Sequence, residues 1–165
     1  MREFTISTLV RECQECELSA LDRELVEAAK DATRTSYAPY SRFHVGAAIR
    51  MDNGEICRGS NQENAAYPSG LCAERTAAFH ASASFPGMPM RKIAIAAWTE
   101  AGKPEGLPYE EYFQRLPISP CGGCRQALLE YETLHGNMEV ILYGLDKIYI
   151  LPSIASLLPF SFTSF

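Results

Sequence analysis

The chain has 165 residues, 47% of them hydrophobic and 21% charged, with a formal net charge of -5. That length and balance are expected of one globular domain around a single core, and the acidic charge argues against a polynucleotide partner, which would call for an excess of Lys and Arg. The opening MREFTISTLVREC lacks the basic-then-apolar layout of a signal peptide, and no apolar run is long enough to span a bilayer, so no membrane partner is expected and the six cysteines are placed in a reducing cytoplasm, where close pairs suggest metal ligands or redox sites before disulfides.

Residues 1–18 are taken as an N-terminal extension of unclear role. Residues 20–35 bear Leu21, Leu25, Ala28 and Ala29 at helical spacing, with Ser19 and Asp22 as a variant capping box. SYAPYSRF (36–43) is a proline-bearing loop. VGAAIRM and EICRGS are two strands joined through Asp52-Asn53-Gly54 by a tight Asn-Gly turn. The polar loop NQENAAYPSG (61–70) precedes an Ala-rich helix over about 72–85, and KIAIAAW (92–98) is a buried strand. Residues 100–119 are an inserted loop with Gly102, Pro104, Gly106 and Pro108, in which YEEYFQRL (109–116) is expected to form a short helix. A further helix is expected over about 121–134. MEVILYG and KIYIL follow as antiparallel strands, since too few residues separate them for a crossover, and a last short helix covers about 153–158. The order predicts a single α/β domain over 1–165, with a mixed five-stranded sheet and helices on both faces.

The chemistry concentrates in Cys72-Ala73-Glu74-Arg75 and Pro120-Cys121-Gly122-Gly123-Cys124. Helical residues three apart have Cβ atoms about 5–6 Å apart, so Cys121 and Cys124 can share one zinc ion with Zn–S near 2.3 Å. A helix start also favours thiolate over thiol. Cys72 supplies a third thiolate from another helix start, and three protein ligands leave the fourth tetrahedral position open, as in catalytic zinc sites. Glu74 is the candidate proton carrier if its side chain bends back toward the metal in the first turn. Three thiolates and Zn²⁺ sum to −1, an excess that makes the ion a poorer Lewis acid, and Arg75 is the candidate cation to offset it. Gly122 and Gly123 each weaken a helix by about 0.8–1.0 kcal/mol relative to Ala, which suggests that something approaches this backbone closely. Taken singly, each feature has an ordinary reading: buried unmetallated thiols, a solvated first-turn Glu, a surface Arg.

With these residues the sequence resembles the cytidine deaminase family, small zinc enzymes acting on cytidine and deoxycytidine. The segments that carry the resemblance are APYSRFHVGAA (38–48), GSNQENAAYPSGLCAERTA (59–77), SPCGGCRQ (119–126) and LLPFSF (157–162). It implies a three-layer αβα sandwich, one Zn²⁺ per chain on Cys72, Cys121 and Cys124, and Glu74 as proton shuttle. It also implies that Asn61 and Glu63 grip the ribose hydroxyls and that Phe43 lines the pyrimidine pocket. The Ala73 backbone would read the pyrimidine carbonyl, and Phe162 would reach a neighbour's site in a homotetramer with shared active sites. The implied activity is hydrolytic deamination of the nucleoside in pyrimidine salvage, in the cytoplasm, with a small-molecule nucleoside as substrate.

Gln62 departs from the family, which often has an apolar residue there, and the segment 100–119 is longer than in compact relatives. No His-x-Glu occurs, which separates the chain from deaminases with a His ligand, and His44, His80 and His135 show no ligand spacing. A deaminase of another aminopyrimidine nucleoside, such as a nucleoside antibiotic, is the nearest rival enzyme. The rival of another class is a structural zinc module built from Cys13, Cys16, Cys121 and Cys124, which would leave Cys72 and Glu74 unused. Cys57 is assigned to the core.

Overall fold

A computed structural model of the chain describes residues 1–101 and 106–163; the glycine and proline expected to loop at 102 and 104, and Phe165 of the apolar tail, lie outside them. The strands are β1 (Arg11–Cys13), β2 (Phe43–Met51), β3 (Ile56–Ser60), β4 (Met90–Thr99), β5 (Glu139–Leu142) and β6 (Ile148–Leu151), and the helices are α1 (Ala20–Ala32), α2 (Ala73–Ser84) and α3 (Gly122–His135). They form one mixed sheet in the order β1-β6-β5-β4-β2-β3. Only β4 and β5 run parallel, with α3 in their crossover.

The sheet separates two cores. On one side α1 buries Leu25, Val26 and Ala29 against Ala48, Ala94, Ile141 and Ile148. On the other, α2 and α3 bury Ala77, Ala81, Leu128 and Leu129 against Ile49, Ile93, Ile95 and Val140. Alternate residues of each strand face opposite cores, so the α/β layering expected from sequence is the one observed. Cys57 lies in the α2/α3 core as expected.

The sheet has six strands rather than five. The extra one is β1, from the N-terminal extension to which the sequence reading assigns no element; it pairs antiparallel with β6 from Arg11↔Ile150 to Cys13↔Ile148. The expected antiparallel pairing of β5 and β6 is present. Between β2 and β3 the turn is a three-residue loop rather than a two-residue Asn-Gly turn. The Met51 N–H bonds to the Glu55 carbonyl at 2.8 Å, the Gly54 N–H bonds to the Met51 carbonyl at 3.0 Å, and Gly54 alone in the loop has positive φ, at 89°. Residues 109–116 form no α-helix. A single 3-10 turn, Tyr109–Glu111, is followed by Phe113, which bridges to Trp98 and is buried beside Tyr143. The short helix expected near 153–158 is likewise a 3-10 turn, Ala155–Leu157.

Two close approaches set the helices on the sheet. A Cβ on Gly59 would lie 2.2 Å from the Ala77 nitrogen and 2.8 Å from the Ala73 carbonyl oxygen, so β3 admits the first turns of α2 only because this residue has no side chain. Gly46 does the same for α1, where a Cβ would lie 2.1 Å from the Ala29 oxygen.

Glu132, near the end of α3, is buried, and its carboxylate collects three backbone amides. Oε2 accepts from Met138 at 2.9 Å and Ile154 at 2.7 Å, and Oε1 accepts from Ala155 at 3.0 Å. It ties the helix end to the segment after β6. Glu132→Ala strands these donors, each worth about 1 kcal/mol or more, and is expected to lower the melting temperature by about 6–12 °C for a chain of this size. Glu132→Gln should fall between. Thermal unfolding followed by circular dichroism checks this; an unchanged midpoint for the Ala variant would remove the carboxylate from the account of stability.

Candidate active site

The sheet brings two helix starts together. Cys72 is the N-cap of α2, and its carbonyl accepts from the Thr76 N–H at 3.0 Å. Cys121 is the N-cap of α3, and its thiol accepts from the Cys124 N–H at 3.4 Å. The three sulfurs lie within 4.8 Å of one another and are, among the described residues, the only His, Cys, Asp or Glu cluster of that kind. The Cys72 and Cys121 sulfurs are 3.8 Å apart. A tetrahedral ion with Zn–S of about 2.3 Å has a sulfur–sulfur edge of about 3.8 Å, so the donor set matches zinc in number, softness and spacing.

The electrostatics agree. The Cys72 thiol is held down to about 5, first by a hydrogen bond from the Cys124 thiol and further by Arg75. The Cys124 thiol is pushed up by that same hydrogen bond, by burial and by the charge of Glu74. Three sulfurs this close cannot all ionise alone; a divalent cation between them removes the conflict.

Glu74 lies in the first turn of α2, only 4% exposed. Its carboxyl pKa is raised, first by burial and further by the charge of Cys72. Arg75 places Nη2 3.8 Å from the Cys72 sulfur, and its buried Nε has no hydrogen-bond partner among the described residues. Among the described residues nothing closes on Gly122 or Gly123 apart from the Cys121 sulfur, 4.0 Å from a Cβ placed on Gly123.

A cleft of about 450 Å³ opens beside the cluster, walled by Asn61, Gln62, Glu63, Cys72 and Arg75. The Asn61 amide is pinned at both ends, Oδ1 accepting from the Val45 N–H at 2.8 Å and Nδ2 donating to the Phe43 carbonyl at 2.9 Å. Glu63 accepts from the Tyr40 and Ser41 amides at 2.9 and 3.2 Å, and hydrogen bonding from Ser41 and the backbone keeps its carboxyl below its usual range. Gln62 donates its side-chain amide to Ser60 Oγ at 3.0 Å and the Thr35 carbonyl at 3.2 Å, so the polar residue is satisfied where the family often has an apolar one. Ala73 is buried at the start of α2, where a first-turn N–H has no partner within the helix.

Phe43, half-buried at the start of β2, does not wall the cleft, and neither does Phe162. Phe162 is 65% exposed, its backbone held to α3 by Gln126, which donates to its carbonyl at 2.7 Å and accepts its N–H at 3.2 Å. Arg125 adds a second tether, donating to the Leu157 carbonyl at 2.9 Å and the Pro120 carbonyl at 2.8 Å. Neither role is apparent from sequence, since both partners are backbone groups. Cys13 packs in the core under α1, on the opposite side of the sheet from α3, so the four-cysteine module is not assembled. None of the three histidines joins the sulfur cluster.

Comparison with known proteins places this geometry. Residues 19–138 match the family described as the cytidine and deoxycytidylate deaminase zinc-binding region. The chain is similar to the cytidine deaminase of Sporosarcina psychrophila, 37% identical over 85% of this chain and 90% of that one. It is also similar to that of Halalkalibacterium halodurans, 37% identical over 87% and 96%. Among solved structures it resembles a cytidine deaminase from Burkholderia pseudomallei, with TM-score 0.67 and 38% identity over 84% of this chain and 97% of that one.

Proposed function

The chain belongs to the cytidine and deoxycytidylate deaminase family, and from that footing we propose that it hydrolyses cytidine and deoxycytidine to uridine and deoxyuridine with release of ammonia. The observation that supports this most is the trio of thiols at zinc spacing beside a cleft that also carries Asn61 and Glu63. Cys72, Cys121 and Cys124 would hold one zinc ion, which when bound supplies Lewis acidity that brings the pKa of water toward about 7.

The remaining steps belong to the chain's own residues. Glu74 takes a proton from the attacking water and delivers it to N3 of the pyrimidine as the C4–O bond forms; it then takes the remaining proton of the new C4 hydroxyl and passes it to the departing amine as the C4–N bond breaks and the C4 carbonyl forms. Arg75 offsets the net −1 of three thiolates around a dication. The Ala73 N–H meets the pyrimidine carbonyl, while Phe43, which does not wall the cleft, contributes through its backbone carbonyl, which holds the Asn61 amide. Asn61 and Glu63 accept from the ribose hydroxyls; both are already held rigid by backbone bonds, and each keeps acceptor capacity because carbonyl and carboxylate oxygens carry further lone pairs. Among the described residues no helix is long and apolar enough to cross a membrane, and a cytoplasmic enzyme acting on free nucleosides, not polynucleotides, fits the acidic balance. Purified protein should consume cytidine in proportion to its zinc content, read from the fall in cytidine absorbance. Full zinc with no turnover of either nucleoside would overturn the proposal in favour of another aminopyrimidine.

The same reading assigns a homotetramer with shared active sites, completed by Phe162 from a neighbour. Its support is the tail itself: Leu157 and Leu158 pack on the core, while Phe160 and Phe162 remain exposed. A chain truncated after Pro159 should keep its zinc and show a raised KM for cytidine. Mixed with an intact-length Glu74→Gln chain, it should form hybrids more active than either variant, because an intact Glu74 then receives Phe162 from the other chain. Stable variants that exchange subunits without regaining activity would assign Phe162 to its own subunit or to none.

A further inference from the structure

His44 joins the inserted segment to the loop that carries Asn61 and Glu63. Its ring stacks on Trp98, with centroids 4.0 Å apart and planes 15° apart, and its side chain is 13% exposed. Nε2 lies 3.2 Å from Glu100 Oε1, and Nδ1 is hydrogen-bonded to Ser36 Oγ. An ionised carboxylate only accepts, so Nε2 carries the hydrogen, and in the neutral ring Nδ1 accepts from the Ser36 hydroxyl. On its far side Trp98 donates to Thr33 Oγ at 3.1 Å and meets the rings of Tyr109 and Tyr112, both from the insertion.

What Ser36 holds bears on the substrate. The next residue, Tyr37, donates its N–H to the Asn61 carbonyl at 2.9 Å and accepts the Glu63 N–H at 2.8 Å. Its backbone thus fixes both proposed sugar-gripping residues. From there the chain makes one turn, closed by the Arg42 N–H on the Ala38 carbonyl at 3.0 Å, with Arg42 at a φ of 54°. The Arg42 carbonyl returns to the insertion, accepting from the Glu100 N–H at 3.0 Å. Residues 37–42 are therefore anchored at one end by Ser36–His44 and at the other by Glu100, the residue that also holds His44.

We propose that His44 is a positioning residue for recognition of the nucleoside sugar, setting Asn61 and Glu63 through Ser36 and the backbone of Tyr37. The inference rests on the reading of Asn61 and Glu63 given under Proposed function. Its test compares cytidine with 2′,3′-dideoxycytidine, which lacks the hydroxyls to be gripped. His44→Phe keeps a ring on Trp98 and removes both hydrogen bonds; Ser36→Ala breaks the same link from the other end with a smaller change.

With zinc content unchanged, each variant should lose about 3–10-fold in kcat/KM for cytidine, mostly through KM, the scale of one hydrogen bond. Turnover of 2′,3′-dideoxycytidine should stay within about twofold, and the double variant should lose no more than the worse single one. Equal losses on the two substrates, or none, would overturn the role, because damage to folding or to the metal site does not discriminate between sugars. If the unmodified chain itself fails to prefer cytidine to 2′,3′-dideoxycytidine, the reading of Asn61 and Glu63 is wrong, and this inference falls with it.

Discussion

Glu74→Gln is expected to bind zinc and cytidine as the unmodified chain does and to lose about 10²–10⁴-fold in kcat. Glu74 is almost wholly buried in the first turn of α2, two residues after Cys72. Gln has the same shape, so the packing around Ala73 and Gly59 survives. What Gln cannot do is take a proton from water and hand it on. The loss therefore falls on the chemical step, equivalent to about 3–5 kcal/mol of transition-state stabilisation. Steady-state kinetics, metal analysis and equilibrium dialysis of cytidine on one preparation separate the three properties. Turnover within about threefold of the unmodified chain would take Glu74 out of the mechanism, and loss of zinc would make its role structural.

The cysteines should divide into two groups. Cys124→Ser removes one of three thiolates, and since four-ligand structural zinc sites bind with about 10–16 kcal/mol, an even share per ligand is about 2.5–4 kcal/mol, or roughly 10²–10³-fold in zinc affinity. Activity should fall with the metal. Cys13→Ser/Cys16→Ser should keep both, because Cys13 packs beneath α1 while the sulfur cluster lies at the start of α3 across the sheet. Since the metal displaces protons from the sulfurs, zinc retention should weaken as the pH falls, in every chain that has the three ligands. Competition with a chromogenic chelator, run beside the cytidine assay, measures all of this. Zinc lost from the Cys13/Cys16 double variant and kept by Cys72→Ser would reinstate the four-cysteine module.

Much of the site was legible because its chemistry is local in sequence. Cys121 and Cys124 are one helical turn apart, so spacing alone lets those two thiols share an ion, while the addition of Cys72, Glu74 and Arg75 is read from a second helix start and from the family resemblance. The helices and the long strands were legible from period and composition. The failures have a common cause: partners distant in sequence. β1 has three residues in a polar context, and only its ladder with β6 makes it a strand. Residues 109–116 have helical composition, but Phe113 is buried against Trp98 and Tyr143, and packing overrides propensity. Arg125, Gln126, Glu132 and His44 look like ordinary surface residues because their partners are backbone groups or side chains far along the chain.

The pairing of β1 with β6 has a consequence for how the molecule comes together and comes apart. β1 waits for a partner about 140 residues further along the chain, and closing a loop of that length, with the slow logarithmic growth of closure entropy, is offset by a ladder of only three residue pairs. Such an edge zips late in folding and opens first under native conditions. The amides of residues 11–13 should therefore exchange with deuterium well ahead of those in β2, β4 and β5.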